Sequence, residues 1–206
     1  MKSFGFWLAL LVLISFDSAQ AGEPITSPDL RYDHNQFFRA GNFEVTAGAA
    51  VYFAPFVATR NRPRHEYAVA LFDVGYMLNE VKEWGIARGN FEVLGELFAG
   101  GVFSGKGNYL AGFTAWLRYN FVQPDWVIVP YAQLGAGASA MDFDQRFYGQ
   151  VFSFNLGTAF GLRYFLRPEF ALNAEYRFQH LSNANTARKN LGVNSQGVMI
   201  GASWFF

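Results

Sequence analysis

The chain has 206 residues, carries sixteen Lys and Arg against sixteen Asp and Glu, and contains no cysteine. Zero net charge argues against nucleic acid as a partner, and the lack of cysteine excludes disulfide frameworks, thiol catalysis and cysteine-ligated metals. Aromatic residues reach 19% while charged residues stop at 16%, well short of the roughly 25% charged in an ordinary soluble domain.

Residues 1–21 read as a signal peptide. Lys2 supplies the positive start, Phe4 to Phe16 an apolar stretch, and Ala19-Gln20-Ala21 a small-residue cleavage signal. About 185 residues remain, enough for one domain. Residues 22–42 read as a polar periplasmic leader. Beyond the signal no apolar run reaches the ~18 residues that a membrane helix needs. An exported, aromatic chain without such a helix implies an all-β fold over residues 43–206, an eight-stranded antiparallel transmembrane β-barrel of the outer membrane.

The strands follow from a period of two. In 43–53, Phe43, Val45, Ala47, Ala49, Val51 and Phe53 alternate with Glu44, Thr46, Gly48, Ala50 and Tyr52. Six further segments follow at about 67–78, 90–104, 108–121, 126–139, 169–182 and 195–206. The eighth and clearest is 152–164, where Phe152, Phe154, Leu156, Phe160, Leu162 and Tyr164 share one face against Ser153, Asn155, Gly157, Gly161 and Arg163. Gln123-Pro124-Asp125 and Arg167-Pro168-Glu169 read as tight turns, and the links around 57–66, 140–150 and 183–194 as longer polar loops. Short turns belong to the periplasmic side and long loops to the cell surface. Two links depart from that rule: Asn79 to Gly89 is long and Ser104-Gly105-Lys106-Gly107 is short.

The inward parity collects Glu44, Asp73, Glu92, Glu96, Arg118, Gln133, Arg163, Glu175 and Arg177. Small barrels fill their interior with side chains, so opposite charges there are expected to pair instead of lining a pore. Glu92 and Glu96 lie four residues apart on one strand, about 13 Å, which is too wide for a glycosidase pair. Gly100 to Lys106 has the spacing of a phosphate-binding loop, but Gly107 replaces the required Ser or Thr and the context is a hairpin. His34 and His65 lack partnered motifs and read as ordinary polar residues outside the membrane, and so few ligand types leave no zinc site.

Strand 7 separates its faces cleanly. Leu172, Ala174, Tyr176 and Phe178 face outward, Asn173, Glu175, Arg177 and Gln179 inward, and the count carries His180 and Ser182 to the outward face. On strand 8, Val198, Ile200, Ala202, Trp204 and Phe206 point outward, and Asn194 shares their parity. Polar side chains facing lipid are costly. One explanation is that they sit in the interfacial zone, where they are tolerated. The other is a hydrolase reached sideways by a membrane lipid, in which histidine takes the serine proton for attack on an ester.

His180-Leu181-Ser182-Asn183-Ala184 followed by Asn190-Leu191-Gly192 resembles the signature of the lipid A 3-O-deacylase family, the PagL-like acyloxyacyl hydrolases. That resemblance implies an outer-membrane esterase acting on lipopolysaccharide without a metal or other cofactor. It makes His180 the general base, Ser182 the nucleophile and Asn183 a contributor to the oxyanion site, with Asn190 and Gly192 shaping the loop. The family's third catalytic residue is a glutamate, and Asn194 stands at the matching position. Asparagine orients an imidazole without supplying negative charge. Two other readings of the same residues are a non-catalytic structural or adhesion barrel and a different lipid esterase, such as a phospholipase.

Overall fold

A computed structural model describes residues 36–55, 62–124 and 126–206. The signal peptide, His34 and most of the expected leader lie outside the described residues. Eight antiparallel strands close into a barrel in chain order: β1 (Phe43–Ala54), β2 (His65–Met77), β3 (Gly89–Gly105), β4 (Gly107–Phe121), β5 (Ile128–Phe143), β6 (Phe152–Arg167), β7 (Phe170–Ser182) and β8 (Val193–Phe205). Pairing of β8 with β1, from Glu44 opposite Phe205 to Phe53 opposite Gln196, completes the ring. One short helix, α1 (Gln145–Tyr148), stands in the β5–β6 link.

These are the eight strands that alternation predicts, with ends displaced by a few residues. β5 runs four residues past its expected end, to Phe143, because Ser139, Met141 and Phe143 continue the buried parity above the outward apolar band. Lys106 is the tip of the β3–β4 hairpin between Gly105 and Gly107, both at positive φ, so the lysine that mimicked a phosphate loop is a turn residue. The long link after β2 contains one 3-10 turn, Gly85–Ala87, and lies against the barrel through Gln123 Nε2 bonds to the carbonyls of Gly85 and Ile86.

The outer wall is apolar, with Leu97, Leu134, Leu156, Phe160 and Ile200 all more than half exposed. The inside is a charge network. Arg163 contacts Glu44 and lies 3.1 Å from Glu92, Arg118 reaches Glu44 at 3.2 Å and Glu175 at 3.6 Å, and Arg177 joins Glu96 at 2.6 Å and contacts Glu175. The Tyr131 hydroxyl donates to Glu175 at 2.6 Å, and its ring packs on the guanidinium groups of Arg118 and Arg163. Trp116 fills the space left by Gly135 and Gly157, where an added Cβ would come within 2.5 Å of the indole. Apart from Asp73, which forms no ion pair among the described residues, the charges thus pair and plug the lumen, as expected of a small barrel.

Below the network, Phe37 and Phe38 turn into the barrel mouth against Phe165 and Phe205, and the Phe38 carbonyl accepts from Asn90 Nδ2 at 2.9 Å. The last residues of the expected polar leader are therefore an aromatic stopper. His65 also differs from expectation. It is fully buried, stacks on Phe143 at 4.6 Å and bonds the Tyr148 hydroxyl at 3.0 Å, because β2 starts with its side chain on the inward parity.

Breaking one partner of a buried ion pair strands the other charge. Arg163→Leu should therefore lower stability by about 3–5 kcal/mol, measured by denaturant unfolding in detergent, with Glu44 and Glu92 left to share Arg118.

Candidate active site

Strands β7 and β8 end side by side at the loop end of the barrel. Their register sets His180 opposite Asn194, and both lie on the outward parity. The imidazole Nδ1 and Asn194 Oδ1 are 2.6 Å apart. Since a carboxamide oxygen only accepts, this bond requires a proton on Nδ1, which in the neutral ring puts the lone pair on Nε2.

Ser182 lies two residues beyond His180 on the same face, opposite Phe154 of β6. Among the described residues no hydrogen bond joins its hydroxyl to the imidazole. Same-face neighbours on a strand are about 6.6 Å apart at the backbone, so contact depends on side-chain rotation. Gly192, at φ +67°, explains how the ring fits. A Cβ there would sit 3.2 Å from His180 Cε1 and 3.9 Å from Nε2, so the glycine borders the basic edge of the ring. One step beyond the Leu181–Val193 pair, the register places Gly192 across from Ser182.

Asn183 is buried and its carboxamide is committed to the loop. Nδ2 donates to the carbonyls of Tyr148 and Lys189, each at 2.8 Å, and Oδ1 accepts from the Asn185 amide at 2.9 Å. Asn190 Oδ1 accepts from the Asn183 amide at 3.0 Å, and Ala184 and Asn185 take left-handed backbone conformations between them. Asn183 and Asn190 thus hold the β7–β8 loop, and the Asn183 side chain has no amide hydrogen left over for an oxyanion.

Three structural supports escape a sequence reading. Tyr67 on β2 donates to Gln179 Oε1 and shares a hydrogen bond with Ser195 Oγ, both at 2.7 Å, pinning β7 and β8 from the inside directly behind His180 and Asn194. The Leu191 amide donates to the Phe147 carbonyl at 3.1 Å, docking the loop on α1. Arg62 Nη1 donates to the carbonyls of Leu191 and Gly192 at 3.0 and 3.3 Å. Inward parity marks Gln179 and Ser195, but nothing local marks Tyr67 or Arg62, whose partners are more than 100 residues away. Around α1, the Asp144 carboxyl caps the helix and is held well below the usual carboxylate range by hydrogen bonds from Arg146, while burial pushes the Tyr148 hydroxyl up to about 12.

A shallow apolar groove of about 330 Å³ opens on the outer wall beside the pair. It is lined by Leu156, Gly157, Thr158, Phe178, His180 and Asn194. It runs from the polar pair toward the middle of the wall, since Leu156 pairs with His180 and Thr158 with Phe178. An imidazole with a free Nε2, a nearby hydroxyl and an apolar channel in the lipid-facing wall together can present a base and a nucleophile to an acyl ester.

Comparisons with known proteins agree with this architecture. A search of curated proteins found no match. Among solved structures, Neisserial surface protein A (NspA) is 21% identical, with a TM-score of 0.55, over 80% of this chain and 98% of its own. The outer membrane enzyme PagL is 16% identical, with a TM-score of 0.53, over 76% and 97%. These likenesses show the outer-membrane barrel fold. The family model for lipid A 3-O-deacylase (PagL) matches residues 72–203, which include His180, Ser182 and Asn194. The chain belongs to the lipid A 3-O-deacylase (PagL) family, whose barrels reside in the bacterial outer membrane.

Proposed function

We propose that the protein is an outer-membrane esterase that removes the 3-O-linked acyl chain of lipid A, with Ser182 as nucleophile and His180 as general base. The observation that carries this reading is the His180–Asn194 bond on the outward wall, two residues from Ser182 within the family's match. The loop end faces the cell surface, so these residues meet the outer leaflet, where lipopolysaccharide lies.

With the proton of the imidazole on Nδ1, Nε2 takes the Ser182 proton as Oγ attacks the acyl carbonyl. The tetrahedral intermediate collapses with cleavage of the bond to the sugar oxygen, which takes the proton from Nε2. The acyl chain is left on Ser182. Water then gives a proton to Nε2, attacks the acyl-enzyme and releases the fatty acid as Ser182 regains its proton. The apolar groove beside Leu156 and Phe178 takes the chain while the ester sits at the polar pair. No metal or cofactor enters any step.

Asn194 sets the rate this arrangement reaches. Its Oδ1 selects the productive tautomer, yet it brings no charge to stabilise the imidazolium that forms. In serine proteases an Asp-to-Asn change costs about 10⁴ in turnover, largely through the wrong tautomer. The loss here is smaller if Oδ1 stays on Nδ1.

Mass spectrometry of lipid A from cells expressing the wild type, Ser182→Ala and His180→Ala tests the reading. Loss of a 3-O-linked acyl chain is expected with the wild type alone. Identical lipid A from all three overturns it and leaves a barrel without this activity, and acyl loss confined to phospholipids assigns a different esterase. Asn194→Glu is expected to raise deacylation at least about tenfold by adding charge behind the imidazole. A folded variant with no gain would show that Asn194 does not limit the base.

A further inference from the structure

A second groove, rimmed by charged side chains, opens at the loop end beside the β7–β8 loop. It has a volume of about 350 Å³, and its walls include Arg62, Arg64, Lys106, Asp144, Arg146 and Phe147. Its charge balance is positive. Arg146 is bound to Asp144, and Arg64 donates to Glu66 at 2.6 Å. Asp142, nearby on β5, is engaged by Asn108. Lys106 is 71% exposed and only 3.9 Å from Asp144, which Arg146 already occupies. Arg62 forms no ion pair with a carboxylate among the described residues, and one of its nitrogens is spent on the two loop carbonyls. Four cations thus face three carboxylates, Glu66, Asp142 and Asp144, and Arg62 supplies the excess while Lys106 reaches only an Asp144 that Arg146 already holds.

Position gives this excess a meaning. The Gly192 carbonyl that Arg62 holds belongs to the residue whose missing Cβ makes room for the His180 ring. A single residue of backbone therefore separates the cationic groove from the imidazole. An anion in the groove and an ester at Ser182 would belong to neighbouring positions of one small headgroup.

We propose that this groove is a binding subsite for a phosphate monoester on the sugar headgroup of the lipid, with Arg62 and Lys106 as its principal ligands. The proposal rests on the reading of the protein as a lipid A esterase, since lipid A is a phosphorylated glucosamine disaccharide, and it names the headgroup feature that orients the substrate. A guanidinium presents a planar fork that matches phosphate oxygens, and a lysine adds a mobile point charge. Because the groove is open to water, the attraction weakens with salt.

Binding without turnover tests the subsite separately from the hydrolysis. Ser182→Ala protein in neutral detergent is titrated with bisphosphorylated lipid A and with the same lipid stripped of its phosphates. The phosphorylated form is expected to bind at least tenfold tighter, and adding Arg62→Gln and Lys106→Gln is expected to erase that difference. Heat-modifiable gel mobility checks that the barrel is intact. Inorganic phosphate should compete with the phosphorylated lipid and leave binding of the stripped lipid unchanged. Equal affinity for the two lipids, or a difference that survives in the folded triple variant, overturns the proposal. Tight binding of inorganic phosphate with no preference between the lipids overturns the headgroup assignment in favour of free phosphate. Phosphate discrimination in a protein whose wild type hydrolyses nothing would sink the esterase reading alone, and hydrolysis without discrimination would sink the subsite alone.

Discussion

Closure of the strand ladder is the constraint from which the rest follows. In hydrocarbon an unpaired backbone N–H or C=O costs several kcal/mol, and pairing β8 back onto β1 leaves no open sheet edge. A closed ring of strands has only two faces. The inner face here carries Glu44, Glu92, Glu96 and Glu175 with Arg118, Arg163 and Arg177, charges that must satisfy one another because they have little water. The outer face must be largely apolar, so a histidine, a serine and an asparagine gathered at one place on it stand out from the wall around them.

The same closure gives the site its rigidity. His180 and Asn194 are paired across a ladder whose inner side is held by Tyr67, Gln179 and Ser195, so the short Nδ1 to Oδ1 bond does not depend on a loop. Asn194 is also a compromise set by its surroundings. A carboxylate beside lipid carries a desolvation cost of several kcal/mol unless a partner charge is present. Asparagine avoids that cost and keeps the orientation, while giving up charge stabilisation at the moment the imidazolium forms.

Alternation made most of this legible in the sequence. Leu172 to Phe178 and Val198 to Phe206 keep an apolar outward parity, so the parity of His180, Ser182 and Asn194 follows from counting along the chain. What could not be counted depends on contacts across the ring. Phe37 and Phe38 look like part of a polar leader until Phe165 and Phe205 are seen to surround them. His65 looks solvated until Phe143 and Tyr148 cover it. Asn183 looks free to serve an oxyanion because a motif fixes identity and spacing, whereas the carbonyls of Tyr148 and Lys189 that occupy it come from the fold of two loops.

Those loops divide the labour with the strands. The β1–β2 link supplies Arg62, the β5–β6 link supplies α1, and the β7–β8 loop is tied to both through Leu191, Gly192 and Asn183. His180 and Ser182 stand on strand ends fixed by a ladder, and the cations stand on connections that tolerate change. A substitution at Lys106 alters the charge presented to a headgroup without touching the pairing of His180 and Asn194. One at Gly192 strikes both, because any side chain there meets the imidazole while its carbonyl anchors Arg62. Gly192 is therefore the residue through which the proposed headgroup groove and the proposed base are mechanically joined.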